Sequence, residues 1–121
     1  MVTLDLIIPG PPVPKARARV TRRGTYTPAR VRQYEQGVAL IAQAACSRHA
    51  CQWPTSEPVQ VTVRAFLPDA RRRDLDNVVK AITDALNGVA YVDDAQIVAV
   101  IASKGIDRDE PRAEIRVEVL A

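Results

Sequence analysis

From Val59 to Leu67 the residues Val59, Val61, Val63, Ala65 and Leu67 alternate strictly with Gln60, Thr62, Arg64 and Phe66. A period of two belongs to an extended strand, whose successive side chains point to opposite faces. A strand with one apolar face must bury it, so this segment demands a sheet that is covered on one side. Two stretches can supply the cover. Val31, Tyr34, Val38, Ile41, Ala42 and Ala45 recur at intervals of three and four, and so do Leu75, Val78, Val79, Ile82, Ala85 and Leu86. Each set draws an apolar stripe along one side of a helix.

The limits of these elements follow from local chemistry. Thr27 can cap free amides, and Pro28 suits a first helical position, so a helix is expected from there to about Arg48. Asn87-Gly88 reads as the stop of the second helix. Val2 to Ile8 alternates and then turns continuously apolar, as in a strand passing from half-buried to buried. Pro9, Gly10, Pro11, Pro12 and Pro14 end it, and the stretch to about Thr27 reads as a long loop or irregular hairpin. Ile97 to Ile101 and Ala113 to Leu120 flank a charged turn and read as a hairpin. The order is strand, basic loop, helix, strand, helix, strand, strand. An α+β fold follows, with two helices on one face of a small sheet, and residues 1–121 form a single domain.

No apolar run approaches the roughly 20 residues of a membrane span, and no secretory signal opens the chain, so a cytoplasmic protein with no membrane partner is expected. Cys46 and Cys51 do not make a disulfide framework. With His49 they give three zinc-type ligands, but a structural site needs a fourth and a wider spacing. The net charge is only +3. Its distribution is more informative. Residues 1–35 carry seven basic groups (Lys15, Arg17, Arg19, Arg22, Arg23, Arg30, Arg32) against Asp5 and Glu35, a net +5. Such a segment points to a polyanionic partner.

Arg71, Arg72 and Arg73 stand directly before Asp74 and Asp76 at the start of the second helix, and Asp93-Asp94 follows its end. Magnesium or manganese takes hard oxygen ligands and keeps positions open for water and phosphate, which suits Asp74, Asp76 and Asp94. Should the next strand pair back past the helix, Asp94 would come near the other two. Lys80, one turn beyond Asp76 on the same face, can reach a phosphate, and Asp84 a turn further can pair with Lys80. The competing account is that aspartates at a helix start are caps favoured by the helix dipole, and an Asp-x-Asp alone is a weak signal. An aspartyl-phosphate phosphatase would place its Asp-x-Asp at the end of an apolar strand. Here the pair follows three arginines.

Arg-Arg-Asp-Leu-Asp-Asn at 72–77, Lys80, Asp84-Ala85-Leu86-Asn87-Gly88 and Tyr91-Val92-Asp93-Asp94-Ala95-Gln96 together resemble the RusA family of Holliday junction resolvases. The basic segment from Pro14 to Pro28 is more loosely similar to phage-type members. The resemblance implies that the essential aspartates are Asp74, Asp76 and Asp94 and the active-site lysine is Lys80. It also implies a homodimer that uses Mg2+, or Mn2+ in its place, to nick opposed strands of a four-way junction, leaving 5′-phosphate and 3′-hydroxyl ends. Lys15, Arg17, Arg19, Arg22, Arg23, Arg71, Arg72 and Arg73 would then contact DNA, with Tyr26 as a stacking partner. Asp93 is ambiguous, since alternation in an extended segment points it away from Asp94. A non-catalytic module that binds branched DNA is the alternative.

Overall fold

The computed structural model describes residues 2–16, 19–21, 24–26, 28–49 and 52–120. Strand β1 (Thr3–Pro9) is followed by a short hairpin, β2 (Arg19–Thr21) and β3 (Gly24–Tyr26). Helix α1 (Ala29–Cys46), strand β4 (Val59–Leu67) and helix α2 (Leu75–Ala85) come next, then β5 (Ile97–Ile106) and β6 (Arg112–Val119). The main sheet runs in the order β1-β6-β4-β5. β6 is antiparallel to both β1 and β4, and β5 is parallel to β4, so the sheet is mixed.

The expected hairpin between the last two strands does not form. β4 lies between them, pairing Val63 with Ile115 on one side and with Ala102 on the other. The charged segment around Asp107 and Asp109 therefore passes across the end of β4, where the Asp107 amide donates to the Leu67 carbonyl at 2.9 Å. The path β4, α2, β5 is a strand-helix-strand crossover, which returns the chain to the starting end of β4 before the next strand begins.

One face of the sheet is dry. Leu4, Leu6, Ile8, Val59, Val61, Val63, Ala65, Ala113, Ile115 and Val117 meet Val38 and Ala42 of α1, Val78 and Ile82 of α2, and Leu86 just past its end in one core. Burying each of the larger side chains is worth about 1.5–3 kcal/mol, which sets both helices against this face. The other face carries Asp5, Gln60, Thr62, Arg64, Glu114 and Arg116, with Arg116 and Asp5 paired across β6 and β1 at 2.7 Å. β1 alternates to its end: Ile7 is 62% exposed on the polar face, so its last residues are not continuously buried.

The two helix limits read from the sequence fare differently. Pro28 stands at the N-cap of α1, one position earlier than expected, and its carbonyl accepts from the amides of Val31 and Arg32. Thr27 lies outside the described residues. Past α2, Gly88 adopts φ +77° and donates its amide to the Tyr91 carbonyl at 2.8 Å. A side chain is disfavoured in that conformation, and the stop at Asn87-Gly88 has this cause. No helix among the described residues is long and apolar enough to cross a membrane.

Candidate active site

The turn from β4 into α2 is shaped by its own charges. Asp69 accepts from the Arg71 amide at 3.0 Å and from the Arg73 guanidinium at 2.8 Å. The Arg73 hydrogen bond, helped by that amide, holds the Asp69 carboxyl below the usual carboxylate range. Arg73 also donates to the carbonyls of Asp69 and Arg71, and its side chain is only 13% exposed. It braces the turn. Arg71 and Arg72, at 85% and 91%, project into solvent beside the helix start.

Asp74 occupies the N-cap of α2 with extended dihedral angles, yet its side chain makes no capping hydrogen bond. Its nearest partner is Arg72 at 3.5 Å. Asp76, in the first turn, accepts from the adjacent Asn77 amide at 3.0 Å. Both are exposed. Two exposed carboxylates thus stand at the helix start with two extended arginines next to them. The capping account explains the position of Asp74 but finds no capping hydrogen bond from its side chain.

Lys80 lies one turn further and donates to Asp84 Oδ1 at 2.9 Å, the pairing read from the sequence. That hydrogen bond raises the Lys80 pKa, and the charge of Asp94 adds to the shift. Asp84 is also bound from the other side. Lys15 Nζ lies 3.2 Å from Asp84 Oδ2 and 2.6 Å from Glu35 Oε1 of α1. Burial alone would lower the Lys15 pKa, but the hydrogen bonds to Glu35 and Asp84 outweigh it and raise it. Among the basic residues expected to touch DNA, Lys15 therefore spends its charge within the fold. Arg19 lies in β2. Arg17, Arg22 and Arg23 lie outside the described residues.

Asp94 opens a short 3-10 turn, Asp94–Gln96, that leads into β5. Gln96 was not singled out from the sequence, although it fixes this turn: its Oε1 accepts the Asp93 amide, and its Nε2 donates to the carbonyls of Thr55 and Glu57, each at 2.9 Å. Asn87, just beyond α2, reaches Asp94 Oδ2 at 3.4 Å. Asp94 is thereby held at the finishing end of α2.

Asp74 and Asp76 stand at its beginning. At about 1.5 Å per residue the 11 residues of α2 span roughly 16 Å. β5 separates the two ends independently. Lys104, seven residues beyond Ile97, donates to the Arg73 carbonyl at 2.7 Å, and seven residues of strand extend about 23 Å. The start of β5, next to Asp94, is thus a strand's length from the turn that carries Asp74. The expected approach of Asp94 to Asp74 and Asp76 does not occur within one chain, because β5 runs parallel to β4 and begins at the opposite end of the helix. Among the described residues no three Asp, Glu, His or Cys side chains converge to hold a metal ion. Of the zinc-type set, Cys51 lies outside the described residues. The donors at each end still fit Mg2+ or Mn2+ in kind, being hard carboxylate oxygens.

The comparisons with known proteins bear on this arrangement. Residues 9–118 match the family model described as endodeoxyribonuclease RusA. The chain is 35% identical over 99 residues to the crossover junction endodeoxyribonuclease RusA of Escherichia coli strain K12, covering 81% of this chain and 79% of that protein. It is 34% identical over the same length to the protein of that name from Enterobacteria phage 82. A Bacillus subtilis protein, the uncharacterized YqaN, is 28% identical over 142 residues, covering 97% of this chain and 96% of that one. The matched span contains the start of α2, Lys80, Asp84 and Asp94, and the chain belongs to the RusA family of endodeoxyribonucleases.

Proposed function

We propose that this protein is a structure-selective endodeoxyribonuclease that resolves four-way DNA junctions by paired, metal-dependent hydrolysis of two opposed strands. The observation that carries the reading is the start of α2, where Asp74 and Asp76 stand exposed and uncapped beside the extended Arg71 and Arg72. Carboxylates next to solvent-exposed arginines suit a cation and a phosphate together.

Asp74, Asp76 and Asp94 are the metal ligands in this reading, with Mg2+ as the ion and Mn2+ able to replace it. When bound, the ion supplies a more acidic water and neutralises charge on the phosphate. The chain's own groups do the rest. Lys80 takes a phosphate oxygen. Arg71 and Arg72 hold the flanking backbone, with Arg73 bracing their turn. The water oxygen bonds to phosphorus, the bond to the 3′ oxygen breaks, and that oxygen leaves with a proton, giving 5′-phosphate and 3′-hydroxyl ends. Arg17, Arg19, Arg22 and Arg23 extend the basic surface of the loop along the arms, with Tyr26 to stack on a base.

The length of α2 supports a homodimer. Two chains related by a two-fold axis, with their α2 helices antiparallel, would set Asp74 and Asp76 of each against Asp94 of the partner subunit. Two complete sites result, as two cuts require. The separation of the aspartates within one chain also favours a second reading, a non-catalytic module that binds branched DNA. Incubation of the purified protein with a mobile four-way junction and with the matching duplex, with and without Mg2+ or Mn2+, separates the two. Paired nicks in the junction that need metal are expected. Junction binding without cleavage under either metal would establish the binding module instead.

A further inference from the structure

Asp84 shares its two oxygens between two lysines, Oδ1 with Lys80 at 2.9 Å and Oδ2 with Lys15 at 3.2 Å. The lysines are held very differently. Lys15 is fixed from three directions: Glu35 of α1 at 2.6 Å, Asp84 of α2, and its own main-chain amide, which donates to the Asn77 carbonyl at 2.8 Å. Its side chain is 26% exposed. Lys80 is 57% exposed, and among the described residues its ammonium has the single partner Asp84. Of the two, Lys80 is free to swing away.

A carboxylate facing one cation holds it more strongly than one whose charge is shared between two. The two ammonium groups also repel each other, and the charge of Lys15 opposes the proton on Lys80. Lys15 therefore loosens the resting grip of Asp84 on Lys80. It also leaves Asp84 compensated after Lys80 has gone, so that the carboxylate neither recaptures the lysine nor repels an arriving phosphate.

We infer that Lys15 is a positioning residue for strand cleavage, acting through Asp84 to release Lys80 to the scissile phosphate. This rests on the assignment of Lys80 to the phosphate proposed above. Charge alone would class Lys15 with the arginines that touch DNA. A DNA contact and a positioning residue leave different marks, since the first weakens junction binding and the second slows the cut once the junction is bound.

The test is a set of single-turnover rates on a four-way junction in Mg2+, with junction binding measured alongside. Lys15→Met is expected to cut about tenfold more slowly, the scale of one charge-assisted hydrogen bond, with binding unchanged. Adding Asp84→Asn to Lys15→Met should recover most of that rate, because the trap for Lys80 is removed. A double variant of Lys15→Met with Lys80→Ala should cut no more slowly than Lys80→Ala alone. Should the methionine variant fail to fold, Lys15→Gln, which keeps a hydrogen-bond donor but no charge, enters the same comparisons. Losses that simply add to those of Lys80→Ala, no recovery with Asp84→Asn, or a loss confined to binding would each overturn the inference. A Lys80→Ala protein that cuts at the parent rate would instead remove the underlying assignment of Lys80, and the inference with it.

Discussion

Tyr91 donates its hydroxyl to the main-chain carbonyl of Thr83 at 2.6 Å, and this bond completes the last turn of α2. The amide that would ordinarily reach that carbonyl is Asn87, four residues on, but it bonds to Asp84 instead at 3.2 Å. The phenol is fully buried, and desolvation, aided by the charges of Asp94 and Asp84, raises its pKa far above that of a free tyrosine. Tyr91→Phe leaves the carbonyl without this partner in a dry setting. A loss of about 1–2 kcal/mol is expected, read as a lower urea midpoint at an unchanged slope. No change in midpoint would mean that water reaches the carbonyl.

The missing capping bond of Asp74 and the exposure of Asp76 separate their catalytic and structural accounts. Asp76→Asn should abolish cleavage, keep junction binding and melt no lower than the parent in metal-free buffer. Asp74→Ala should cost less than the ~1 kcal/mol typical of a lost cap, because no capping bond exists to lose. Thermal melts without metal check both. A clear drop in melting temperature would restore the capping account.

Subunit mixing tests whether two chains build each site. Asp76→Asn and Asp94→Asn proteins, each inert alone, are combined after partial denaturation and refolded together. Random reassociation puts about half of the dimers in mixed form, where one site carries both substitutions and the other carries neither. The mixture should recover cutting, as single nicks rather than paired ones. A mixture as inert as its components, once exchange has been verified by differently tagged chains, would confine each site to one chain.

Alkaline conditions should weaken the fold through Lys15. Burial lowers its pKa, but its hydrogen bonds to Glu35 and Asp84 outweigh that and raise it, so it holds its proton more tightly folded than unfolded. Its contribution is complete below the unfolded lysine value of about 10.4 and is lost as pH rises through the higher folded value. Tyr34, pushed up to about 12 by burial, adds to the same loss. Urea midpoints should fall above pH ~10, and fall less steeply in Lys15→Met. A variant that parallels the parent over this range would show that the ion pairs with Glu35 and Asp84 carry no net stabilisation.

The elements that alternate or repeat against a core were legible in the sequence. Val59 to Leu67 and the stripes of α1 and α2 occupy the places their periods predict, because burial imposes the period. β5 was read five residues too short, ending at Ile101 rather than Ile106. It is an edge strand, exposed through Ser103, Lys104 and Gly105, so no periodic apolar face was required there. Which strand pairs with which is not written in periodicity at all, and the hairpin drawn between β5 and β6 failed for that reason. The same gap misplaced Asp94 relative to Asp74, since only the direction of β5 decides which end of α2 Asp94 meets. The ion pairs of Lys15 were not legible either. Its partners Glu35 and Asp84 lie far off in the chain, whereas its sign suggested the same role as its arginine neighbours.

In the proposed dimer the two cuts would fall a fixed distance apart, with α2 as the gauge. With Asp74 and Asp76 at one end of the helix and Asp94 at the other, antiparallel helices would space the two incisions by the length of a single rod of 11 residues. Inserting one turn of four alanines would lengthen that rod by about 6 Å and pull both sites apart without altering any ligand. In the proposed dimer the spacing of the cuts would be calibrated by a helix as much as by the carboxylates at its ends.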